Sequence, residues 1–134
     1  MSAMHSRHRP FALLVTHGAL GEELVRTAES ILGVQTDVYT LSNAGYSIDD
    51  LTAAVTERVR SVAAERPIML FTDLAAGSCG IASRRAQFPE RDVRRIAGIN
   101  LPMLLEFFHY RDTLPLEELL PRLETKGKAG IVVL

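Results

Sequence analysis

A chain of 134 residues, 47% apolar and 23% charged, suits one globular domain with a single core. A formal net charge of −1 excludes the broad basic field on which nucleic-acid modules depend. A single cysteine, Cys79, excludes an intrachain disulfide framework and a cysteine-rich zinc site, and no apolar run approaches the roughly 20 residues that span a membrane.

The cysteine usage points to a reducing cytoplasm. Residues 1–10, MSAMHSRHRP, are polar and basic and lack the apolar stretch of a signal peptide. They read as a flexible extension ahead of one domain over residues 11–134. His5 and His8 in that extension are too isolated for a metal site, and no metal or cofactor is expected.

Phe11 to Val15 is a continuous apolar run, suited to a strand buried on both faces. It leads through Thr16-His17-Gly18 into a helix over residues 20–32, with Leu20, Leu24, Ala28, Ile31 and Leu32 on one stripe. Glu22 and Glu23 favour the start of that helix and Gly33 its end. Val38 to Leu41 is a short second strand, and Asn43-Ala-Gly45 a turn. Ser47 with Asp50 reads as a capped helix start, and this second helix runs to about Glu65 with Ile48, Leu51, Val55 and Val59 or Val62 inward.

Ile68 to Thr72 is the third strand and stops at Asp73. The loop Leu74-Ala-Ala-Gly77 precedes Ser78, which reads as the N-cap of a third helix to about Phe88. A fourth strand over residues 93–99 is interrupted by Arg94 and Arg95. Asn100-Leu-Pro102 starts a fourth helix that ends near Tyr110. A fifth helix runs from Pro115 to about Thr125. Lys126-Gly-Lys-Ala-Gly130 reads as a turn and Ile131 to Leu134 as a last apolar strand. Four alternations of strand and helix predict an α/β fold, a mainly parallel sheet with helices on both faces.

His17 is the first candidate for chemistry. It stands at the carboxyl end of a strand, where ligands collect in open parallel sheets, and Gly18 permits close approach to the backbone. A lone histidine in a strand-ending loop is more often structural than catalytic. Asp73 holds the same place on the third strand. With strand order 2-1-3-4 the two loops flank the switch point, where a carboxylate can orient one imidazole nitrogen and leave the other as a nucleophile. A simple turn aspartate is the alternative. Gly77 and Ser78 at a helix start could cradle a phosphate or other oxyanion, or merely cap the helix. Cys79 beside them could be a reactive thiol or a small buried residue. Ala76-Gly-Ser-Cys-Gly80 is one change from the nucleophile elbow of α/β-hydrolases, but the order Ser, Asp, His fails, because His109 precedes Asp112 and is the last histidine.

Three segments carry a family resemblance. Val15-Thr-His-Gly18 with the Glu-rich helix through Gly33, Phe71-Thr-Asp73 with Gly77-Ser78, and Ala97-Gly-Ile-Asn-Leu-Pro-Met-Leu-Leu-Glu106 resemble the IIA domain of mannose-type sugar phosphotransferase systems. The resemblance spans residues 11–134. It implies a cytoplasmic phosphotransferase in which His17 takes a phosphoryl group from an HPr-type phosphocarrier and passes it to a histidine of a IIB protein. It further implies that Asp73 orients His17, that Ser78 helps hold the phosphoryl group, for which Gly18 and Gly77 are the other expected binding positions, and that membrane contact is indirect, through a permease complex. A homodimer exchanging the C-terminal strand, residues 131–134, is implied too. A four-residue apolar strand is also marginal alone and leaves a sheet edge to cover.

Ala75, Ala76 and Cys79 depart from the residues usual at those positions, an aromatic, a glycine and a proline. With no IIB domain attached in the sequence, a regulatory relay independent of transport stands beside sugar uptake. A small-ligand binding α/β domain using the same loops is the third reading.

Overall fold

The computed structural model describes residues 9–134. Four strands, β1 (Phe11–Thr16), β2 (Val38–Ser42), β3 (Ile68–Thr72) and β4 (Val93–Ala97), form one sheet in the order 2-1-3-4, every neighbouring pair parallel. Five helices connect or follow them: α1 (Leu20–Leu32), α2 (Ile48–Arg60), α3 (Gly77–Arg85), α4 (Leu101–Tyr110) and α5 (Leu116–Ala129).

The apolar runs of β1 and β3 divide by alternation. Ala12, Leu14, Met69 and Phe71 pack on one face with Ala28 of α1, Leu104 and Phe107 of α4, and Leu119 and Leu123 of α5. Leu13, Val15, Ile68 and Leu70 pack on the other with Leu51, Val55 and Val59 of α2 and Cys79 and Ala82 of α3. Both strands are therefore buried on two sides, and their sequences are continuously apolar because no face meets water. The register pairs Val15 with Thr72, so β1 and β3 end side by side. His17 and Asp73 follow directly.

Arg111 anchors the opposite end. It is wholly buried and donates to the carbonyls of Thr36 at 2.8 Å, Pro10 at 2.8 Å and Asp37 at 2.7 Å. Burial, helped by the charge of Arg9, pushes its pKa down to about 9. Arg9 in turn pairs with Asp37 at 3.2 Å and Asp112 at 2.8 Å. Residues 9 and 10 are thus fastened to the domain, contrary to the expectation of a loose extension through Pro10. The rest of that extension, residues 1–8, lies outside the described residues.

Several boundaries differ from expectation, for identifiable reasons. α2 ends at Arg60 rather than Glu65, because Arg91 takes the carbonyls of Val59, Val62, Ala63 and Arg66 at 2.8–3.2 Å and holds the unwound segment. α3 ends at Arg85 rather than Phe88. Arg94 and Arg95 lie within β4 rather than interrupting it, and Arg95 closes α3 by donating to the carbonyls of Ser83 and Ala86. β4 itself stops at Ala97 rather than Ile99.

The expected turn at Lys126–Gly130 is instead the last turn of α5. Its glycines serve packing: a Cβ on Gly127 would meet Met103 Cε at 2.8 Å, and one on Gly130 would meet Pro102 Cγ at 2.6 Å. Asn100 also donates to the Gly127 carbonyl at 2.9 Å. Ile131 to Leu134 form no strand in the chain's own sheet and are extensively exposed. On α1 only Ala28 of the expected stripe is fully buried. Leu20, Ile31 and Leu32 face solvent, the last two lining an open cleft of about 480 Å³ with Leu101, Pro102 and His109.

Candidate functional site

β1 delivers His17 to the carboxyl end of the sheet, and the chain turns at once. Gly18 adopts φ +56°, and its N–H is held by Asn43 Oδ1 at 3.0 Å. Thr16 Oγ1 accepts from the N–H of Gly21 at 2.7 Å, tying the start of α1 to the end of β1. A Cβ on Gly21 would lie 2.8 Å from that same oxygen, so the close approach requires glycine.

Asp73 is the hub. One carboxylate oxygen, Oδ2, accepts the main-chain N–H of His17 at 2.9 Å and faces its ring Nδ1 at 2.9 Å. The other, Oδ1, accepts the N–H of Leu74 at 3.0 Å. Burial pushes the Asp73 carboxyl up. The hydrogen bonds from the His17 main chain and ring, with the charge of that ring, outweigh it and hold the group below its ordinary range. The Asp73 side chain is 10% exposed against 38% for His17, so the acid is shielded while the imidazole reaches solvent. An ionised carboxylate at Nδ1 keeps a proton there. The lone pair of a neutral imidazole is then on Nε2.

Gly77 lies against that nitrogen. A Cβ built on it would be 3.6 Å from Nε2 and 3.5 Å from Cε1, and its φ of +79° suits glycine. Gly77, not Ser78, opens α3, and the cap is Ala76, whose side chain offers no acceptor to the first turn. Ser78 is therefore the second helical residue, half-buried, and the expectation that it caps the helix is corrected. The structure brings His17, Asp73, Gly18 and Gly77 together, with Ser78 next in the chain.

Cys79 follows, fully buried on the α2–α3 side of the sheet. Burial, and then the charge of Asp73, pushes its thiol up to about 11, against a hydrogen bond with Ser78. The ligating atoms of His17, Asp73 and Cys79 lie within 4.8 Å of one another.

Three supports escape a sequence reading. Asn43 reads as an ordinary turn residue, yet it clamps the loop of His17; its place at the end of the neighbouring strand is the only signal. A Cβ on Gly80 would sit 2.2 Å from the Ala75 carbonyl oxygen and 2.8 Å from that of Leu74, so this glycine lets the loop fold back over α3. Arg84 donates to the Ala75 carbonyl. The hydrolase arrangement fails on placement. Asp112 pairs with Arg9 at the amino end of β1, and the six-residue strand spans about 20 Å from there to His17.

An imidazole fixed through one nitrogen by a carboxylate, open at the other and flanked by a helix start, defines a candidate site for phosphoryl transfer on an open doubly wound sheet. The chain matches the EIIA-man family model, PTS system fructose IIA component, over residues 12–124 and belongs to that family. The mannose-specific EIIAB component of Escherichia coli K12 is 29% identical over 121 residues, and that of Shigella flexneri is equally similar. The match covers 89% of this chain and 38% of those relatives.

Among solved structures, the phosphotransferase system component EIIA of Streptococcus agalactiae has TM-score 0.81 and 25% identity, covering 92% of this chain and 95% of that one. The mannose/sorbose-specific IIA subunit of Enterococcus faecalis has TM-score 0.77 and 23% identity, covering 94% and 95%. No helix among the described residues is long and apolar enough to cross a membrane.

Proposed function

We propose that this domain is a phosphocarrier. Nε2 of His17 attacks the phosphorus of a phosphohistidine on an HPr-type protein. The new P–N bond forms as the old one breaks, and the carrier's imidazole leaves. A histidine of a IIB protein later attacks the same phosphorus and frees His17. The observation that carries this is the 2.9 Å contact of Nδ1 with a shielded carboxylate, which leaves Nε2 as the nucleophile at a surface two proteins can reach.

Asp73 favours the positively charged ring of the phosphorylated state. The N–H groups of Gly77 and Ser78 and the Ser78 hydroxyl supply donors for the phosphoryl oxygens. Family membership supports the same reading, as does the Escherichia coli relative, named as a mannose-specific EIIAB component.

A homodimer belongs to this proposal. Among the described residues β4 has one neighbour, β3, and a cleft of about 670 Å³ runs between β4 and α5, with Ile131 in its wall. The exposed segment 131–134 of a second copy would cover that edge. Incubation with phosphorylated HPr-type protein tests the transfer: label is expected on His17. An unlabelled domain would favour a ligand-binding module.

A further inference from the structure

We infer that His17, Asp73 and Cys79 form a binding site for a borderline or soft divalent cation of the Zn²⁺ type, and that a bound cation and a phosphoryl group exclude each other on His17. The three side chains offer nitrogen, oxygen and sulfur, the donor set Zn²⁺ prefers, and leave a fourth position for water. They converge from three places, the loops after β1 and β3 and the first turn of α3, and their ligating atoms lie within 4.8 Å of one another. Bonds of about 2.0–2.3 Å in a tetrahedron need separations of about 3.3–3.8 Å, so within the 4.8 Å bound no pair has to close by more than about 1.5 Å. One carboxylate among softer donors gives Mg²⁺ or Ca²⁺ little to bind.

The site needs all three residues. His17 and Asp73 are already paired at 2.9 Å, and Cys79 lies behind them in the α2–α3 core. On binding, the thiol proton passes to solvent and a thiolate–metal bond forms. Metal on Nε2 occupies the proposed nucleophile directly. On Nδ1 it displaces the proton there, and a neutral ring then carries its proton on Nε2. Either attachment removes the lone pair that would attack phosphorus. Conversely, a phosphoryl group on Nε2 leaves Nδ1 protonated against Asp73. This exclusion rests on the phosphocarrier reading; the metal site itself does not.

The full chain, stripped with chelator, is titrated with Co²⁺ and no phosphoryl donor. One equivalent should bind with the near-ultraviolet charge-transfer band of a thiolate ligand, and Zn²⁺ but not excess Mg²⁺ should displace it. Cys79→Ser should abolish the band and weaken Zn²⁺ binding by at least the roughly tenfold that even an outer ligand partner is worth. Absence of the band in the wild-type chain overturns the site without recourse to any variant. So does stoichiometric binding that Cys79→Ser leaves unchanged, because the thiolate is then no ligand.

With phosphorylated HPr-type protein, Zn²⁺ should stop labelling of wild type and chelator should restore it. Labelling of the metal-loaded protein at the metal-free rate overturns the exclusion. Absence of labelling without metal would instead be a failure of the phosphocarrier reading, and the Co²⁺ titration would still decide the site.

Discussion

His17 sends both its main-chain N–H and its ring Nδ1 to a single oxygen of Asp73, each at 2.9 Å. One acceptor thus sets the position of the loop and the orientation of the ring. The charge matters to the second task more than to the first. Asp73→Asn keeps the shape and an amide oxygen for the main-chain donor, so the fold should persist while phosphoryl transfer slows. Stopped-flow or quench measurement of transfer from phosphorylated HPr-type protein checks this; wild-type rates would reduce Asp73 to a turn residue.

The same carboxylate gives a pH dependence. Its pKa is held below the ordinary value in the folded chain. Its contribution to stability is therefore present above the unfolded pKa, about 3.9, and is lost as pH falls through the lower folded value. The Tm of wild type should exceed that of Asp73→Asn in neutral solution, and the gap should close in strong acid. A gap independent of pH would assign it to geometry rather than charge.

His17→Ala should abolish labelling and leave the Tm within a few degrees. Asp73 keeps the N–H groups of residue 17 and Leu74 in that variant, and the lost imidazole is more than a third exposed. The wild-type product should be acid-labile and alkali-stable, as a phosphoramidate is. Label retained in the variant, or mapped by mass spectrometry to Ser78, would sink the phosphocarrier reading.

The sheet was legible in the chain because β1 and β3 are apolar without interruption, a pattern that burial on both faces demands. The same runs end at His17 and Asp73, so their juxtaposition followed once the strand order was inferred. Arg91 and Arg95 were opaque. Each ends a helix by donating to carbonyls at a distance of 9–32 residues, and nothing local marks that role. Gly127 and Gly130 misled for a similar reason. Glycine breaks an isolated helix, but here it admits Met103 and Pro102 of α4, a packing need invisible before the helices are docked. Asn43 acts on a loop 25 residues away and Gly80 on the folded-back loop just before it, and only the fold shows them at the site.

Gly80→Ala tests the folded-back loop. Its new Cβ would collide with main-chain oxygens of Leu74 and Ala75, which cannot swing away as a side chain can. The loop should shift and carry Gly77 off the His17 ring. The expected cost is about 1–3 kcal/mol in stability, with transfer slowed roughly ten- to a hundredfold by misplacement. Thermal melts and the transfer rate measure both, and an unaffected rate would show that Gly77 does not set the site.

Arg111→Met should be the most destabilising of these changes. It removes the donors to three carbonyls in a position with no solvent exposure; that of Asp37 keeps the N–H of Ala12 at 3.0 Å, while those of Pro10 and Thr36 lose their guanidinium partner. Each unsatisfied buried acceptor costs about 1–3 kcal/mol. A loss of about 3 kcal/mol or more lowers the Tm of a domain this size by roughly 10 °C. Denaturant unfolding gives the value directly; a loss under about 1 kcal/mol would mean that water replaces the guanidinium.

The C-terminal segment supplies the test of assembly. Ile131, Val132, Val133 and Leu134 are 81%, 67%, 97% and 113% exposed, four apolar residues in sequence beyond the end of α5. Leaving them in water forgoes roughly 1.5–3 kcal/mol for each large side chain that could be buried. Among the described residues β4 has no strand on its outer side, and strand addition from a second copy would satisfy that edge and cover the side chains together. Removing residues 131–134 leaves α5 intact but takes away the added strand. Light scattering should then report monomer, or aggregate grown from the bare β4 edge, where the full chain is expected to give the proposed dimer. A dimer of unchanged mass and unchanged dissociation constant would exclude strand exchange as its main support.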